Sequence, residues 1–293
     1  MQQEPTFLMC VGATKAGTSW LFDRLSAHED CHLRTIKELH YFDMLYRGNF
    51  DRYVEGFTRR AQGIEAELPA LSGGRLRKFQ RRLQDVTDWL AVVLKRGEDL
   101  AAYRAYLTQG LRGRRLVADV TPGYALLPED SFRRMATVGA DTRFLYLLRD
   151  PLARLWSNAR MVAFRRRGAD YAADCVQVMD QMLTRIESGE TDREDYAGTI
   201  TRLKAAVSPA RLLVMFQDEM LSRPGFARLC DWLGIRPADA DFDKRVLEGK
   251  PLPLPGELRA RALAALRPQY DFVARLFPAL PESWRKTLNE VHA

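Results

Sequence analysis

One lysine near the start of the chain lies among small residues, and its surroundings are suited to binding a phosphate group. Residues 7–12 (FLMCVG) are apolar and favour β structure, as in a short buried strand. Residues 13–17 (ATKAG) form a loop around Lys15, and apolar residues recur with helical spacing from Thr18 onward. Unpaired N–H groups and the positive end of the helix dipole converge at such a junction. With the hydroxyl groups of Thr18 and Ser19, the loop predicts a phosphate site; a generic turn with an exposed lysine is the alternative.

A second candidate anion ligand is Arg149, which follows the apolar run of residues 144–148 (FLYLL). An uninterrupted apolar run is typical of a buried parallel strand, and open α/β sheets bind ligands at the carboxyl ends of their strands. Asp150, followed by proline, favours the start of a helix in which Arg154 and Ser157 lie one turn apart on one face. The residues alone also allow Arg149 to be a capping or salt-bridge residue.

Four predicted strands, joined by helical or long connections, must position these residues. Besides the two runs above, strands are expected over residues 116–120 and 211–217. Such connections favour a parallel sheet covered by helices on both faces. We therefore predict an α/β fold, a single domain over residues 1–293 with a central parallel sheet of about four to five strands flanked by helices and a P-loop-like phosphate loop after the first strand. The other predicted helices cover residues 75–96, 172–188, 192–207 and 224–234, and a helical pair extends through residue 277.

Residues 44–112 are a predicted helical, basic insertion whose role the sequence leaves open. A basic cluster occupies the start of the helix predicted over residues 75–96; its members are Arg75, Arg77, Lys78, Arg81 and Arg82. Such a cluster is typical of a solvated face. It is also compatible with an acidic acceptor, with peripheral contact to an acidic membrane surface, or with a lid over an acceptor pocket.

Composition narrows the functional classes. Lys and Arg outnumber Asp and Glu by 45 − 38 = 7, and the pI is about 9.3. This moderate excess fits an anionic ligand at least as well as nucleic acid, and we predict no specific nucleic-acid partner. Four cysteines lie far apart without a CxxC pair, which fits a reducing cytoplasm, and no metal-ligand spacing is visible. The first residues lack the pattern of a signal peptide or membrane span, so the predicted location is cytoplasmic.

The loop around Lys15 differs from the Walker A motif in the position of its lysine. Two glycines have the G-x-x-x-x-G spacing, but Thr18 occupies the position where the Walker lysine follows the second glycine. Lys15 lies inside the loop instead. This order, TKAGTSW, resembles the 5′-phosphosulfate loop of sulfotransferases, P-K-[ST]-G-T-[TS]-W, with Thr14 in place of proline and Ala16 in place of the hydroxyl residue.

Three further segments resemble sulfotransferase motifs in the same order. The run from Arg149 to Ser157 (RDPLARLWS) is similar to the 3′-phosphate motif R-[DN]-P-x-x-R-x-x-S. Residues 37–42 (KELHYF) resemble the KE-x-H-F-F segment of heparan-type and many bacterial members; a charged pair at a helix start with an aromatic anchor is the alternative. Residues 119–124 (DVTPGY) resemble E-x-T-P-x-Y, but Val120 stands where heparan-type enzymes carry a lysine.

The resemblance implies an enzyme that moves a sulfuryl group from 3′-phosphoadenosine 5′-phosphosulfate (PAPS) to a hydroxyl or amine acceptor and releases adenosine 3′,5′-bisphosphate (PAP). Lys15 and the N–H groups of the loop would meet the charge that develops on the leaving phosphate. The donor-binding residues implied are Lys15, Ala16, Gly17, Thr18, Ser19, Trp20, Arg149, Ser157 and Lys250, with Arg149 and Ser157 on the 3′-phosphate. Trp20 would stack on the adenine; a place in the core is its alternative.

On the acceptor side, the resemblance implies Glu38 as the base, with His40 as the second candidate, so the predicted catalytic residues are Lys15, Glu38 and His40. A metal is not required, because a sulfuryl group carries less charge than a γ-phosphate. The acceptor stays open among small molecules such as phenols, lipids, carbohydrates and a peptide tyrosine, and so does the oligomeric state. Two other classes compete: a P-loop kinase, with Asp119 reaching Mg²⁺, and a non-catalytic protein that binds nucleic acid or acidic lipid with a steep salt dependence.

Overall fold

The computed structural model describes residues 4–190, 193–238, 241–242 and 252–289. At its centre is a sheet of five strands, all parallel, in the order β2-β3-β1-β4-β5. The strands are β1 (Thr6–Gly12), β2 (Cys31–His32), β3 (Leu116–Val120), β4 (Thr142–Leu148) and β5 (Leu212–Phe216). The helices are α1 (Thr18–Ala27), α2 (Tyr41–Arg47), α3 (Phe50–Glu67), α4 (Gly73–Val93), α5 (Leu100–Thr108), α6 (Glu129–Met135), α7 (Pro151–Arg166), α8 (Tyr171–Glu187), α9 (Tyr196–Ala206), α10 (Gln217–Met220), α11 (Arg223–Leu233), α12 (Gly256–Leu276) and α13 (Glu282–Asn289).

The three central strands form the core, because most of their side chains are apolar and are covered on both faces. β1 is buried from its second residue onward, β3 is buried throughout, and β4 is buried except at Arg143. Continuous apolar runs of this kind are what a parallel sheet with helices on both faces requires. The predicted α/β fold, with its parallel sheet and flanking helices, is confirmed.

Three elements differ from the predictions. The two-residue strand β2 was not predicted, because a segment of that length has no periodicity and exists only through its pairing with β3. The strand predicted over residues 211–217 ends at Phe216, and Gln217 begins α10. The predicted helical pair through residue 277 is one helix, α12, with Pro268 in its interior. Its buried residues on both sides of the proline, among them Leu266 and Tyr270, hold it together despite the missing N–H donor.

Residues 44–112 contain most of α2 and all of α3, α4 and α5, and they share the core with the sheet. Trp89 of α4 is fully buried, with its ring 6.1 Å from that of Tyr41 at the start of α2. The buried guanidinium of Arg34 pairs with Asp85 of α4 at 3.0 Å, which ties α4 to the chain after β2. The basic residues at the start of α4 lie mainly at the surface. Their role as a lid or as an acceptor-binding region stays a prediction.

Other predictions concern the surface and the cysteines. None of the helices in the described ranges is long and apolar enough to cross a membrane. Cys10, Cys31, Cys175 and Cys230 are buried free thiols. Lys250 lies outside the described residues, so its predicted contact with the adenosine end of the donor stays a prediction.

Candidate active site

The loop after β1 turns sharply because two glycines allow close packing. A Cβ atom on Gly12 would lie 2.7 Å from Cε2 of Tyr146, closer than real Cβ contacts allow. Gly17 has a φ of 87°, and a Cβ atom there would lie 2.9 Å from Met220 on α10. Lys15 also adopts the left-handed region, with a φ of 69°. The chain can therefore pass directly from β1 into α1, which begins at Thr18 as predicted.

Arg149 and Lys15 meet at the point where the connections of the sheet diverge. β1 and β4 are neighbours, but the chain leaves β1 toward β2 and β3 on one side and leaves β4 toward β5 on the other. Open α/β sheets bind ligands in the crevice at such a point. There Nη1 of Arg149 donates to the carbonyl oxygen of Lys15 at 2.9 Å. The hydroxyl of Tyr196 donates to the carbonyl oxygen of Arg149 at 2.7 Å and fixes its backbone.

The crevice concentrates positive charge around Lys15. Burial lowers the pKa of the Lys15 ammonium, and the nearby cations Arg149, Arg160, Arg165 and Lys37 lower it further. An anionic ligand would offset the electrostatic repulsion between these cations. Sequence reasoning missed Arg160 and Arg165, although both follow Ser157 on α7; the signal was the excess of arginine in the second half of that helix.

A further arginine that the sequence did not single out reaches the phosphate loop. Nη1 of Arg193 donates to Oγ1 of Thr14 at 2.7 Å. Thr14 is the residue that replaces the proline of the phosphosulfate motif, so its hydroxyl gives Arg193 a partner that proline could not provide. Arg193 precedes α9 and is far from the loop in sequence, which explains why no local pattern indicated it.

Among the residues that follow Arg149, Asp150 stabilises the start of α7, and Ser157 is the candidate phosphate ligand. The side chain of Asp150 accepts from the backbone N–H of Ala153 at 2.8 Å, so it caps α7 as predicted. Arg154 is completely buried; its Nη2 lies 3.9 Å from Oε2 of Glu194, and its guanidinium nitrogens have no hydrogen-bond partner within the described part of the chain. Ser157 is 9% exposed on the same helix. Arg154 is therefore enclosed within the fold, and Ser157 stays the candidate ligand on this helix.

Trp20 lies in an aromatic cluster. It is 3% exposed, and its ring packs 5.3 Å from Phe226 and 5.8 Å from Phe242. Its indole N–H donates to the carbonyl oxygen of Asp241 at 3.4 Å. These contacts agree with the alternative of a core tryptophan, and stacking on an adenine stays a prediction. The other predicted loop residues, Ala16, Gly17, Thr18 and Ser19, lie together at the start of α1.

A second cluster, the acid–imidazole cluster, consists of Lys37, Glu38, His40 and Asp43. Nζ of Lys37 lies 2.5 Å from Oε1 of Glu38, and Nδ1 of His40 lies 2.5 Å from Oδ2 of Asp43. Nε2 of His40 is 3.6 Å from Oε2 of Glu38, which is an ionic contact beyond hydrogen-bond distance. Asp43 was not predicted; its position three residues after His40 was the available signal.

The backbone of this cluster lies in the left-handed region at Glu38 and His40, not in the helix start that the alternative interpretation assigned to it. Glu38 has a φ of 66° and His40 a φ of 57°. The N–H of Leu39, between them, donates to Oγ1 of Thr121 at 2.9 Å, and Thr121 in turn donates to the buried Asp119 at 2.6 Å. The DVTPGY segment therefore supports the segment that carries Glu38 and His40.

The buried Asp119 accepts hydrogen bonds rather than facing the crevice. The hydroxyls of Tyr103 and Tyr124 each donate to its Oδ2 at 2.8 Å, in addition to the bond from Thr121. Asp119 is 1% exposed, and burial raises its pKa. These contacts give it a structural role in place of the magnesium contact that the kinase alternative assigned to it.

The charges of the acid–imidazole cluster shift its pKa values in opposite directions. Burial by itself raises the pKa of Glu38, but His40 and Lys37 outweigh it and lower that pKa to about 2. Burial by itself lowers the pKa of His40, but Asp43 and Glu38 outweigh it and raise that pKa to about 9. Lys37 also acts on the pKa of Lys15, so the cluster adjoins the phosphate loop. Within the described ranges, no group of three His, Cys, Asp or Glu side chains is arranged to hold a metal ion.

These observations define the class of the protein, an α/β protein with a cation-lined crevice at the carboxyl ends of a parallel sheet and titratable groups beside it.

The model of the sulfotransferase family matches residues 5–239, and the chain belongs to that family, as its motifs predicted. The sulfotransferase of Alicyclobacillus acidocaldarius shares 20% identity and a TM-score of 0.61, covering 97% of this chain and 99% of that one. The sulfotransferase domain of the Synechococcus PCC 7002 olefin synthase shares 17% identity and a TM-score of 0.51, covering 92% and 95%. A search of curated proteins gives no match.

Proposed function

We propose that this protein transfers a sulfuryl group from PAPS to a hydroxyl or amine acceptor. The observation that carries the proposal is the contact between Arg149 and Lys15. It joins the phosphate loop after β1 to the second anion motif after β4, at 2.9 Å. Two anion-binding motifs joined at one crevice suit a donor with a phosphate at each end of its ribose.

The donor side is supported by charge. Arg149, Arg160 and Arg165 lie close enough to Lys15 to lower the pKa of its ammonium group, and PAPS would offset this repulsion with its 5′-phosphosulfate and 3′-phosphate. Lys15 and the N–H groups at the start of α1 would face the 5′ end. Arg149 and Ser157 would hold the 3′-phosphate, with Arg149 making the charge-assisted contact.

The acceptor side is supported by the acid–imidazole cluster next to the loop. In the transfer, a bond forms between the acceptor oxygen and sulfur while the bond between sulfur and the 5′-phosphate oxygen breaks, and PAP leaves with that oxygen. Lys15 neutralises the charge that develops on the leaving oxygen. Glu38 or His40 takes the acceptor proton, the two candidates that the resemblance to the family implies. No metal is needed for these steps, because the crevice already supplies the positive charge.

The acceptor itself belongs to the classes that the sequence left open, namely a small molecule, a lipid, a carbohydrate or a peptide tyrosine. The surface cluster of basic residues on α4 is the candidate region for an acidic acceptor or for peripheral contact with an acidic membrane. Labelled PAPS incubated with an extract of the source cell would identify the acceptor without prior assumption. We propose the cytoplasm, where PAPS and reduced cysteines coexist, as the compartment.

The proposal is tested by thermal unfolding with PAP in the presence of EDTA. A ligand at a hundred times its dissociation constant stabilises the fold by about 2.7 kcal/mol, which gives a clear rise in Tm. We expect that rise with PAP and a much smaller one with adenosine 5′-monophosphate, which lacks the 3′-phosphate. A rise with Mg-ATP but none with PAP would instead indicate a kinase.

A further inference from the structure

We propose that Asp43 is a positioning residue, and that it makes His40 rather than Glu38 the group that takes the proton from the acceptor. This inference rests on the proposed function. It adds a residue that no motif indicated and reverses the order of the two candidate bases.

The bond between His40 and Asp43 sets the tautomer of the imidazole. A carboxylate offers only acceptors, so Nδ1 of His40, 2.5 Å from Oδ2 of Asp43, must carry the hydrogen. In the neutral ring, Nε2 is then the acceptor. The His40 side chain is 25% exposed whereas that of Asp43 is 7% exposed, so the carboxylate lies behind the ring and the ring borders solvent. A buried carboxylate that holds a histidine in one tautomer is the arrangement by which a histidine becomes an oriented base.

Neighbouring segments pack against the side of the pair that faces the protein. A Cβ atom on Gly123, in the turn after β3, would lie 3.2 Å from Oδ2 of Asp43 and 3.3 Å from Cε1 of His40, so the backbone of this turn packs closely against the pair. The ring of Tyr53, on α3, lies 5.2 Å from the imidazole. Leu39, the residue before His40, is bound to Thr121. These neighbours and the bond to Asp43 favour the ring orientation in which Nδ1 meets the carboxylate.

Glu38 is less suited to take the proton. Its carboxylate is engaged by Lys37 at 2.5 Å, and its pKa lies near 2. A base of such low pKa has little tendency to accept a hydroxyl proton. His40 has a pKa near 9; the ionisable groups next to it are Asp43, Glu38 and Tyr53, and the charge of the buried Asp119 on β3 acts on it from a greater distance. Both neighbouring carboxylates stabilise the imidazolium that forms when Nε2 receives the proton.

The proposal has a specific consequence for pH. A base with a pKa near 9 is mostly protonated at neutral pH, so transfer should accelerate about tenfold per pH unit between pH 6 and 8 and level off above pH 9. If Glu38 were the base, the rate would be independent of pH over the same interval, because its carboxylate is already ionised throughout.

The test combines two measurements on the full chain. The first is an NMR titration of the histidine side chains, with His40 assigned by its loss in His40→Gln; it needs no acceptor. We expect a midpoint near 9 and, above it, the tautomer with hydrogen on Nδ1. The second is PAP release from PAPS, with water as the acceptor, as a function of pH.

Asp43→Asn and the control Asp85→Asn separate positioning from folding. Both residues are 5% exposed, and Asp85 pairs with Arg34 outside the cluster. We expect Asp43→Asn to lower the titration midpoint of His40 by about 1–3 pH units, the usual effect of removing an opposite charge. The pH range over which the rate of PAP release rises should shift downward by the same amount. Asp85→Asn should leave both the midpoint and this pH range unchanged. Glu38→Gln should also lower the titration midpoint of His40, but the neutral ring should still carry its hydrogen on Nδ1.

Each outcome is decisive. A wild-type midpoint near 6.5 with hydrogen on Nε2 overturns the proposal even if Asp43→Asn fails to fold. The proposal is also wrong if a folded Asp43→Asn protein shows the same pH dependence of PAP release as the wild type. Failure of the proposed function is distinguishable, since the wild-type protein would then neither bind PAP in calorimetry nor release it from PAPS, whatever the state of His40.

Discussion

Replacing Arg149 by alanine tests whether this residue binds the 3′-phosphate. The structure predicts a loss of nucleotide affinity that has two parts. The first part is shared by all nucleotides, because Nη1 of Arg149 also supports the phosphate loop through the carbonyl oxygen of Lys15. A hydrogen bond of this kind contributes about 0.5–1.5 kcal/mol, or roughly a 2- to 12-fold loss of affinity. The second part falls only on ligands with a 3′-phosphate. A charge-assisted contact contributes about 1.5–3 kcal/mol, or roughly a further 12- to 150-fold.

The assay is calorimetry with PAPS and with adenosine 5′-phosphosulfate, which lacks the 3′-phosphate. The ratio of the two affinity losses isolates the second part. Arg149→Lys serves as a second variant, because it keeps the charge but not the planar fork of donors. Arg211→Ala is the matched control, since Arg211 also donates to a backbone carbonyl, that of Ala140 at 2.8 Å, away from the crevice.

Equal losses for the two nucleotides would show that Arg149 acts only on the loop. Such a result would leave the cationic crevice intact as an observation, but the 3′-phosphate would have to be bound elsewhere. An equal loss in Arg211→Ala would attribute the whole effect to a general change in stability.

Two further predictions concern the acceptor cluster and the phosphate loop. His40→Gln should lower turnover by roughly 10²- to 10⁴-fold with PAP affinity retained, and Glu38→Gln should lower it less; the reverse order in a rate assay would assign the base to Glu38. Gly17→Ala should reduce the free energy of unfolding by about 1 kcal/mol or more, because the residue has a φ of 87° and its Cβ atom would meet α10. Gly56→Ala, in α3 with open space around the residue, should instead raise the free energy of unfolding by about 0.4–1 kcal/mol. Urea unfolding measures both variants. A Gly17→Ala protein as stable as the wild type would contradict the packing described for the loop.

The local sequence determined four of the five strands, all except β2, and the motifs at their ends. Each predicted strand is a short apolar run, and a run of this kind has to be buried wherever the chain places it. The change from strand to helical spacing around Lys15 and the Asp-Pro pair after Arg149 act over a few residues, so they can be read without tertiary information. The family followed from motif order, since two anion-binding motifs in one chain rarely agree by chance.

The tertiary structure alone decided which side chains meet. Arg193 reaches Thr14, and Leu39 binds Thr121, although each pair is far apart in sequence. No periodicity records such contacts, because they depend on the order of strands in the sheet. The orientation of His40 by Asp43 is local in sequence, yet it depends on a left-handed backbone that the turn after β3 holds in place. Residue types therefore indicated the chemistry, and the packing of distant segments determined which residues are placed to carry it out.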